Sequence, residues 1–426
     1  MFIALSVSAE YINTRINKLH RKNYVLSYNK LDRIQIININ MKNPDIYFMP
    51  LGGGQNVGAS CYFLRLGNAN IILDAGTGRY NRIPFEPDFL SLMTLPFILS
   101  LNQISRIFIS HAHLDHTGCL LKLMKSAEHS EVYMTEPTKF LTEHQLYDRK
   151  FFSYQERNSD EDQRLAAQYL LQKITCVNYM QTINFGDYSA SFFQAGHIPG
   201  AMMTMLTFKD RKILYTGDYS LHSTALTGGC IIPDDIEIDT LIMCGLHAKH
   251  PNYRRRSDSL YRDINSVMQA ALYGQNVICH VSQLSKGIEF IKILNSCNEH
   301  HIPIFIDDGI MNTIAVMDKL SEPVLTADNH HISEIYNYGN GITITSSGYK
   351  NYMNRNAIEF HIDFSIHEDF KDMKKFIQTI SPHHAVIVHC APALSDDDIT
   401  IEQEIMKDHG CRTQFTFAEN GQLYIL

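Results

Sequence analysis

Residues 107–118 read IFISHAHLDHTG, an apolar run that passes directly into His111-Ala-His113-Leu-Asp115-His116 and then a Thr-Gly pair. The apolar half has the composition of a buried strand, and Thr117-Gly118 can open a helix. Four donors within six residues cannot all turn to one face of a helix or strand. From a loop at a strand end they can all reach inward. Neutral imidazoles with a carboxylate are the set that zinc selects, and an open coordination position would make the site catalytic rather than structural. The bland alternative is a solvated loop that happens to be rich in histidine.

Further donors follow other strand-like runs. Asp74 ends IILD before Ala-Gly-Thr-Gly, His197 lies in QAGHIPGA, Asp218 in YTGDYS, and His389 ends AVIVH. Singly, each reads as a turn residue closing a strand. Beside the 111–116 loop they read as a metal-ligand set. The chain holds 21 histidines in 426 residues, and its formal net charge is -8. An acidic chain of this kind can meet nucleic acid only through a local basic patch.

The hydrophobic share of 45%, with 22 Tyr and 22 Phe, excludes disorder as the main state. The longest apolar run, Phe89–Leu101, is broken by Pro96 and too short to span a bilayer, so no membrane association is expected. The nine cysteines are scattered, odd in number and without a C-x-x-C pair. That is neither a disulfide framework nor a thiolate zinc site, and it points to a reducing cytosol. The first residues, MFIALSVSAEY, lack the charged start and long apolar stretch of a signal peptide. A cytoplasmic location is the expectation.

Residues 1–45 are basic and aperiodic; they read as a loosely ordered extension, or as lying upstream of a start at Met41. From Ile46, short strands alternate with helices. Strands are expected at 45–50, 61–66, 71–73, 107–110, 132–134, 188–195, 202–208, 212–215 and 240–243, with helices at 119–125 and 161–172. A second rhythm of helix 260–272, strand 276–280, helix 286–295, strand 302–306 and helix 312–320 argues for a parallel sheet in its own subdomain. Strand-like runs return at 343–345, 385–389 and 414–417.

The order and flanks of LDAGTG, HAHLDH, GHIPGA and TGDYS resemble the motifs of the metallo-β-lactamase superfamily. Residues 362–390, IDFSIHEDFKDMKKFIQTISPHHAVIVHC, resemble the C-terminal part of its β-CASP branch, the nucleases of RNA 3′-end processing, ribonuclease J and the Artemis group. QLSKGIEF and IPIFIDDGI resemble two elements of the branch's inserted cap. The resemblance implies an α/β fold, a four-layer αβ/βα sandwich with a shortened β-CASP cap. Its domains would be 1–45 as the extension, 46–240 and 351–426 as the two parts of the metallo-β-lactamase domain, and 241–350 as the cap.

The resemblance also implies two Zn2+ ions, with Mn2+ as the alternative. One would take His111, His113 and His197, the other Asp115, His116 and His389, with Asp218 bridging and Asp74 orienting a ligand histidine. A hydroxide held by the two metals would attack phosphorus, with His367 as general acid; Asp115, Asp218 and His367 are the catalytic set. The implied activity is that of a zinc-dependent endo- or exoribonuclease on single-stranded RNA, with DNA the alternative substrate and a homodimer or protein complex the expected assembly. One departure bears on this. Cys244, in LIMCGLHAKH, stands where the branch carries an acid that holds the proton-donating histidine. His247 or Glu368 could replace that acid. Otherwise the chain would be a binding-only or partner-dependent RNA-binding relative; a small-molecule hydrolase of the superfamily is the other alternative, opposed by FSIHEDF. The basic candidates for phosphate are Arg254, Arg255, Arg256 and Lys286, with Tyr253, Tyr261 and Tyr349 able to stack on unpaired bases. Lys371, Lys374 and Lys375 follow the spacing of an exposed helix face, and Cys279-His280 reads as a buried strand end.

Overall fold

A computed structural model describes residues 45–81, 83–147, 167–232, 236–253, 257–320, 324–325, 332–334, 341–346, 357–393, 399–407 and 412–426. The expectation for residues 1–45 falls, but for Asp45, outside them. Residues 43–426 form one compact unit.

Two seven-stranded sheets make its centre. The first contains β1 (Ile46–Gly52), β2 (Cys61–Leu66), β3 (Ala69–Leu73), then, past the small hairpin of β4 (Gly78–Tyr80) and β5 (Ile83–Phe85), β6 (Arg106–Phe108), β7 (Glu131–Thr135) and β8 (Ile174–Val177). The second contains β9 (Thr182–Asn184), β10 (Tyr188–Gln194), β11 (Met202–Phe208), β12 (Arg211–Tyr215) and β13 (Thr240–Cys244). A third, five-stranded sheet contains β14 (Val277–His280), β15 (Ile304–Ile306), β16 (Ile332–Glu334), β17 (Ile342–Thr345) and β18 (Ile358–His361). β19 (His384–Val388) and β20 (Gln414–Phe417) return to the second sheet, and β21 (Tyr424–Ile425) closes the edge of the first.

Both large sheets are covered on two sides, and the alternation of side chains shows it. In β2, Tyr62, Leu64 and Leu66 join Phe192, Leu206 and Ile213 between the sheets, whereas Cys61 and Phe63 point the other way. That outer side is covered by α1 (Phe89–Leu92), α2 (Leu114–Thr117), α3 (Leu120–Ser126) and α4 (Glu136–Tyr147), with Leu120, Leu123 and Leu146 in its core. Successive residues of a strand face opposite ways, so a strand such as Cys61–Leu66, apolar but for Arg65, needs a core on each face. Beyond the second sheet, one continuous core takes in the third sheet with α5 (Ser257–Leu272), α6 (Lys286–Ser296), α7 (Asp308–Met317), α8 (Phe370–Ile380) and α9 (Ile401–Met406). The layers are therefore helix, sheet, sheet, helix, as the resemblance implied.

Several boundaries differ from the sequence reading, three of them for reasons the structure shows. β6 stops at Phe108 rather than 110, because Ser110 N donates to the Asp74 carboxylate rather than to a neighbouring strand. α7 starts at Asp308, four residues before the expected 312, because the Asp307 side chain accepts from Ile310 N at 2.8 Å and caps it there. The third sheet runs past residue 350, since β18 pairs with β14 in parallel register. All its described pairings are parallel. The expected helix at 161–172 is present over 167–172, and its first part lies outside the described residues.

Candidate metal centre

The parallel strands β3, β6, β12, β13 and β19 end on the same side, and crevices beyond the carboxyl ends of such strands are where ligands bind. Asp74 follows β3 by one residue, His111 follows β6 by three, Asp218 follows β12 by three, and His389 follows β19 by one. Asp74 and His389 have φ of 59° and 49°, the left-handed region that sharply redirects a chain leaving a strand. The 111–116 loop is stitched to the segments after β3 and before β2: Ala75 N donates to His116 O at 2.8 Å, and Ser60 N to Asp115 O at 2.9 Å. At Gly76 a Cβ would lie 1.7 Å from Asp115 O, so only glycine allows this approach.

The donors converge as two neighbouring groups. His111, His113, His197 and Asp218 form one; Asp115, His116 and His389 form the other. Asp218 Oδ2 lies between them, 3.7 Å from His111 Nε2, 3.7 Å from His197 Nε2 and 3.5 Å from His116 Nε2. His389 Nε2 is 3.8 Å from Asp115 Oδ2. His113 and Asp115 are partly exposed, the Asp115 side chain at 32%, and the other five are buried.

Each histidine of the two groups has one ring nitrogen held by a neighbouring side chain or carbonyl. His116 Nδ1 meets Asp74 Oδ2 at 2.7 Å, and His197 Nδ1 meets Ile366 O at 3.2 Å. Both acceptors lack protons, so in the neutral rings these nitrogens donate and each Nε2 keeps its lone pair. Ser110 Oγ donates to Asp74 Oδ2 at 2.7 Å and therefore accepts from His111 Nδ1 at 3.0 Å, leaving His111 Nε2 bare as well. Ser60 Oγ is 2.9 Å from His389 Nδ1, and Ser285 Oγ is 3.1 Å from His113 Nε2. His113 Nδ1 then faces His111 Nε2 at 3.0 Å and His197 Nε2 at 3.2 Å. Asp218 Oδ1 is buried and has no hydrogen-bond partner among the described residues. A buried carboxylate with an oxygen left unpartnered, ringed by imidazole nitrogens within 3.7 Å, is costly unless a cation lies among them, so the residues fit a metal pair.

Burial holds His111, His113 and His197 in the neutral form, with the His197 pKa lowered to about 3. His116 is the exception: burial opposes its charge, but Asp218, Asp74 and Asp115 outweigh burial and push its pKa well up. Burial also opposes the Asp218 charge, and His389, His116 and His367 outweigh it, keeping the carboxylate well below its usual range.

His367 lies beside the donors, its Nδ1 3.7 Å from Asp218 Oδ2 and 4.0 Å from Cys244 Sγ. Burial pushes the Cys244 thiol well up, as does the Asp218 charge, so it is a neutral neighbour at pH 7. The two substitutes considered from sequence point elsewhere. The His247 ring stacks on Tyr253 at 3.5 Å, and Glu368 Oε1 accepts from Leu221 N at 2.8 Å while Oε2 lies 3.8 Å from His222 Nε2. Lys286 Nζ is 2.7 Å from Asp363 Oδ1. Arg254, Arg255, Arg256 and Tyr349 lie outside the described residues. Ser60, Ser110, Tyr215 and Ser285 were not foreseen. Ser110 adjoins the motif, but nothing in GASCYF marks Ser60 as reaching a residue more than three hundred positions away.

Residues 54–242 match the family profile described as the metallo-beta-lactamase superfamily. That stretch, which holds Asp74, the 111–116 loop, His197 and Asp218, is similar to the superfamily's domain. Its curated relatives include "Cleavage and polyadenylation specificity factor subunit 3" of Dictyostelium discoideum, 25% identical over 80% of this chain and 52% of that protein. "Endoribonuclease YSH1" of Gibberella zeae is 27% identical over 59% of this chain and 30% of its own. "Integrator complex subunit 11 homolog" of D. discoideum is 29% identical over 65% and 38%. The resemblance to the superfamily's β-CASP branch holds against these relatives. The chain spans about half or less of their lengths. A solved structure of a protein of unknown function from Enterococcus faecalis V583 shares the fold, with a TM-score of 0.59 at 13% identity, covering 89% of this chain and all of that one. Among the described residues no helix is long and apolar enough to cross a membrane.

Proposed function

We propose that this chain is a metal-dependent phosphodiesterase that cleaves single-stranded RNA. The observation that carries the reading is the convergence of bare imidazole nitrogens on Asp218, whose Oδ1 has no partner among the described residues. Relatives named as endoribonucleases support it. His111, His113 and His197 would hold one Zn2+ and Asp115, His116 and His389 the other, with Asp218 shared and Mn2+ as the alternative metal. When bound, such a pair supplies charge neutralisation and a water acidic enough to ionise near neutral pH.

The protein's own residues do the remainder. Asp74 holds His116, and through Ser110 it holds His111, in the tautomer that presents Nε2. His367 is the residue that would give a proton to the leaving oxygen, since it adjoins Asp218 and is 19% exposed, open to a substrate. Burial pushes its pKa well below the ordinary histidine value, and the neutral Cys244 supplies no charge to reverse this. Turnover would therefore be slow for want of a resident proton. Lys286 follows Ser285, the partner of His113, and would offer a cation to an incoming phosphate. The third sheet would serve as the β-CASP cap over that path. A cytoplasmic location and assembly as a homodimer or within a protein complex are part of the same proposal.

A second reading, an RNA-binding relative that needs a partner to act, is favoured by one observation, the neutral thiol at 244. End-labelled single-stranded RNA and DNA incubated with the purified chain and Zn2+ or Mn2+, with Asp115→Ala as control, tests both. Metal-dependent cutting of RNA that the control lacks supports the nuclease. Intact RNA that is nonetheless retained in a binding assay supports the second reading.

A further inference from the structure

The carboxyl ends of β14 and β18 carry a second group of metal-binding side chains that the proposed chemistry does not use. β14 and β18 are parallel neighbours with His280 opposite His361 and Ile278 opposite Glu359. Glu359 and His361 are two residues apart and so share a face with His280. The opposite face of β14 is buried, with Val277 and Cys279 in the core, so these three side chains project from the covered sheet toward solvent. The His280 and His361 rings stack at 4.7 Å and 17°. His280 Nε2 lies 3.2 Å from Glu359 Oε2, and one ligand atom from each residue lies within 4.8 Å of the others. His361 makes no side-chain hydrogen bond among the described residues.

We propose that His280, Glu359 and His361 form a separate binding site for a borderline divalent transition ion, Zn2+ in the first instance. The spacing already suits one. Two donors each about 2.1 Å from a tetrahedral ion lie roughly 3.4 Å apart, close to the observed His280–Glu359 separation. Closing His361 onto the same point requires a side-chain rotation, which its exposure permits. Two imidazoles with one carboxylate select Zn2+, Ni2+ and Cu2+ over Mg2+ and Ca2+, which take oxygen ligands. A water completes the set.

The position gives the site a structural consequence. β18 is the edge strand of its sheet and runs within six residues into His367, while β14 runs within five into Ser285, the partner of His113. An ion joining His280 to β18 would clamp the two strands that feed the central site.

The test is equilibrium dialysis of the untagged full chain against Zn2+, beside His280→Gln/His361→Gln, Glu359→Gln and the central-site variant Asp115→Ala/His116→Ala. The expected result is one equivalent fewer in the double histidine variant, at least about tenfold weaker binding of that equivalent in Glu359→Gln, and its retention in the central-site variant. The three side chains are wholly or partly exposed, so unchanged circular dichroism of the metal-free variants should accompany the loss. An unchanged Zn2+ count in the double variant overturns the site. So does loss of that equivalent with the central ligands, and neither result bears on the ribonuclease reading.

Discussion

The Cys244 sulfur lies 4.0 Å from His367 Nδ1 at the last residue of β13, and it faces that ring as an uncharged thiol. A carboxylate at this strand end would favour the protonated imidazole. A thiol whose pKa is raised by burial and by Asp218 does not. The departure seen in the sequence thus acts on the side chain proposed as the proton donor.

Replacing Cys244 by Asp, which is close to it in volume, should restore a charged partner. Cleavage of single-stranded RNA should rise at least about tenfold, and the alkaline limb of the pH–rate profile should move up, because His367 keeps its proton to higher pH. Cys244→Ser should leave both nearly unchanged. An Asp variant that retains its metals yet is no faster would remove Cys244 from the argument.

His367→Ala and Asp115→Ala separate the acid from the metal ligands. The first should lower turnover by about 10²- to 10⁴-fold with metal content intact. The second should lose both metal and activity. Elemental analysis beside single-turnover cleavage reads the difference, and full activity of His367→Ala would show the acid assignment to be wrong.

Asp74 is fully buried and accepts from Ser110 N at 2.6 Å, Ser110 Oγ at 2.7 Å, Tyr215 OH at 2.5 Å and His116 Nδ1 at 2.7 Å. Asn at this position turns an amide donor toward donors. The expected costs are about 1–3 kcal/mol of stability and roughly a 10- to 100-fold weaker Zn2+ affinity. Urea unfolding and competition with a chelator measure these separately.

The sequence made the His/Asp cluster legible because its members sit at or just past strand ends with a local signature, and strand ends are where the fold delivers side chains to one crevice. Asp74, His111, Asp218 and His389 needed only their flanking apolar runs to be placed. The supports are another matter. Ser60 reaches His389, and Ser285 reaches His113, across 329 and 172 positions, and no local pattern encodes either contact. The early start of α7 has the same origin: Asp307 accepts from Thr345 Oγ1 at 3.0 Å and Ser346 N at 2.6 Å as well as capping the helix, a tertiary role that helical periodicity does not carry. The 280–359–361 group escaped because β18 is short, half polar and recognisable as a strand only once β14 pairs with it.

The metal-free protein should lose stability in mild acid. His197 is buried, with its pKa lowered to about 3, while in the unfolded chain it titrates near 6.5. Between those values the unfolded state binds the extra proton, so stability rises with pH across this window and falls as pH drops from about 6.5 toward 3. His111, His113 and His367, also lowered by burial, act in the same direction. His116, raised by its carboxylate neighbours, acts oppositely: its contribution is complete below 6.5 and is lost as pH rises through its folded-state pKa. Below 6.5 the His116 contribution is constant, so the four lowered histidines give a net acid destabilisation. Thermal unfolding of the chelator-treated chain between pH 4 and 8 should show the midpoint falling on the acid side, with a shallower fall in His197→Gln. An identical slope in that variant would mean that other groups set the acid limb.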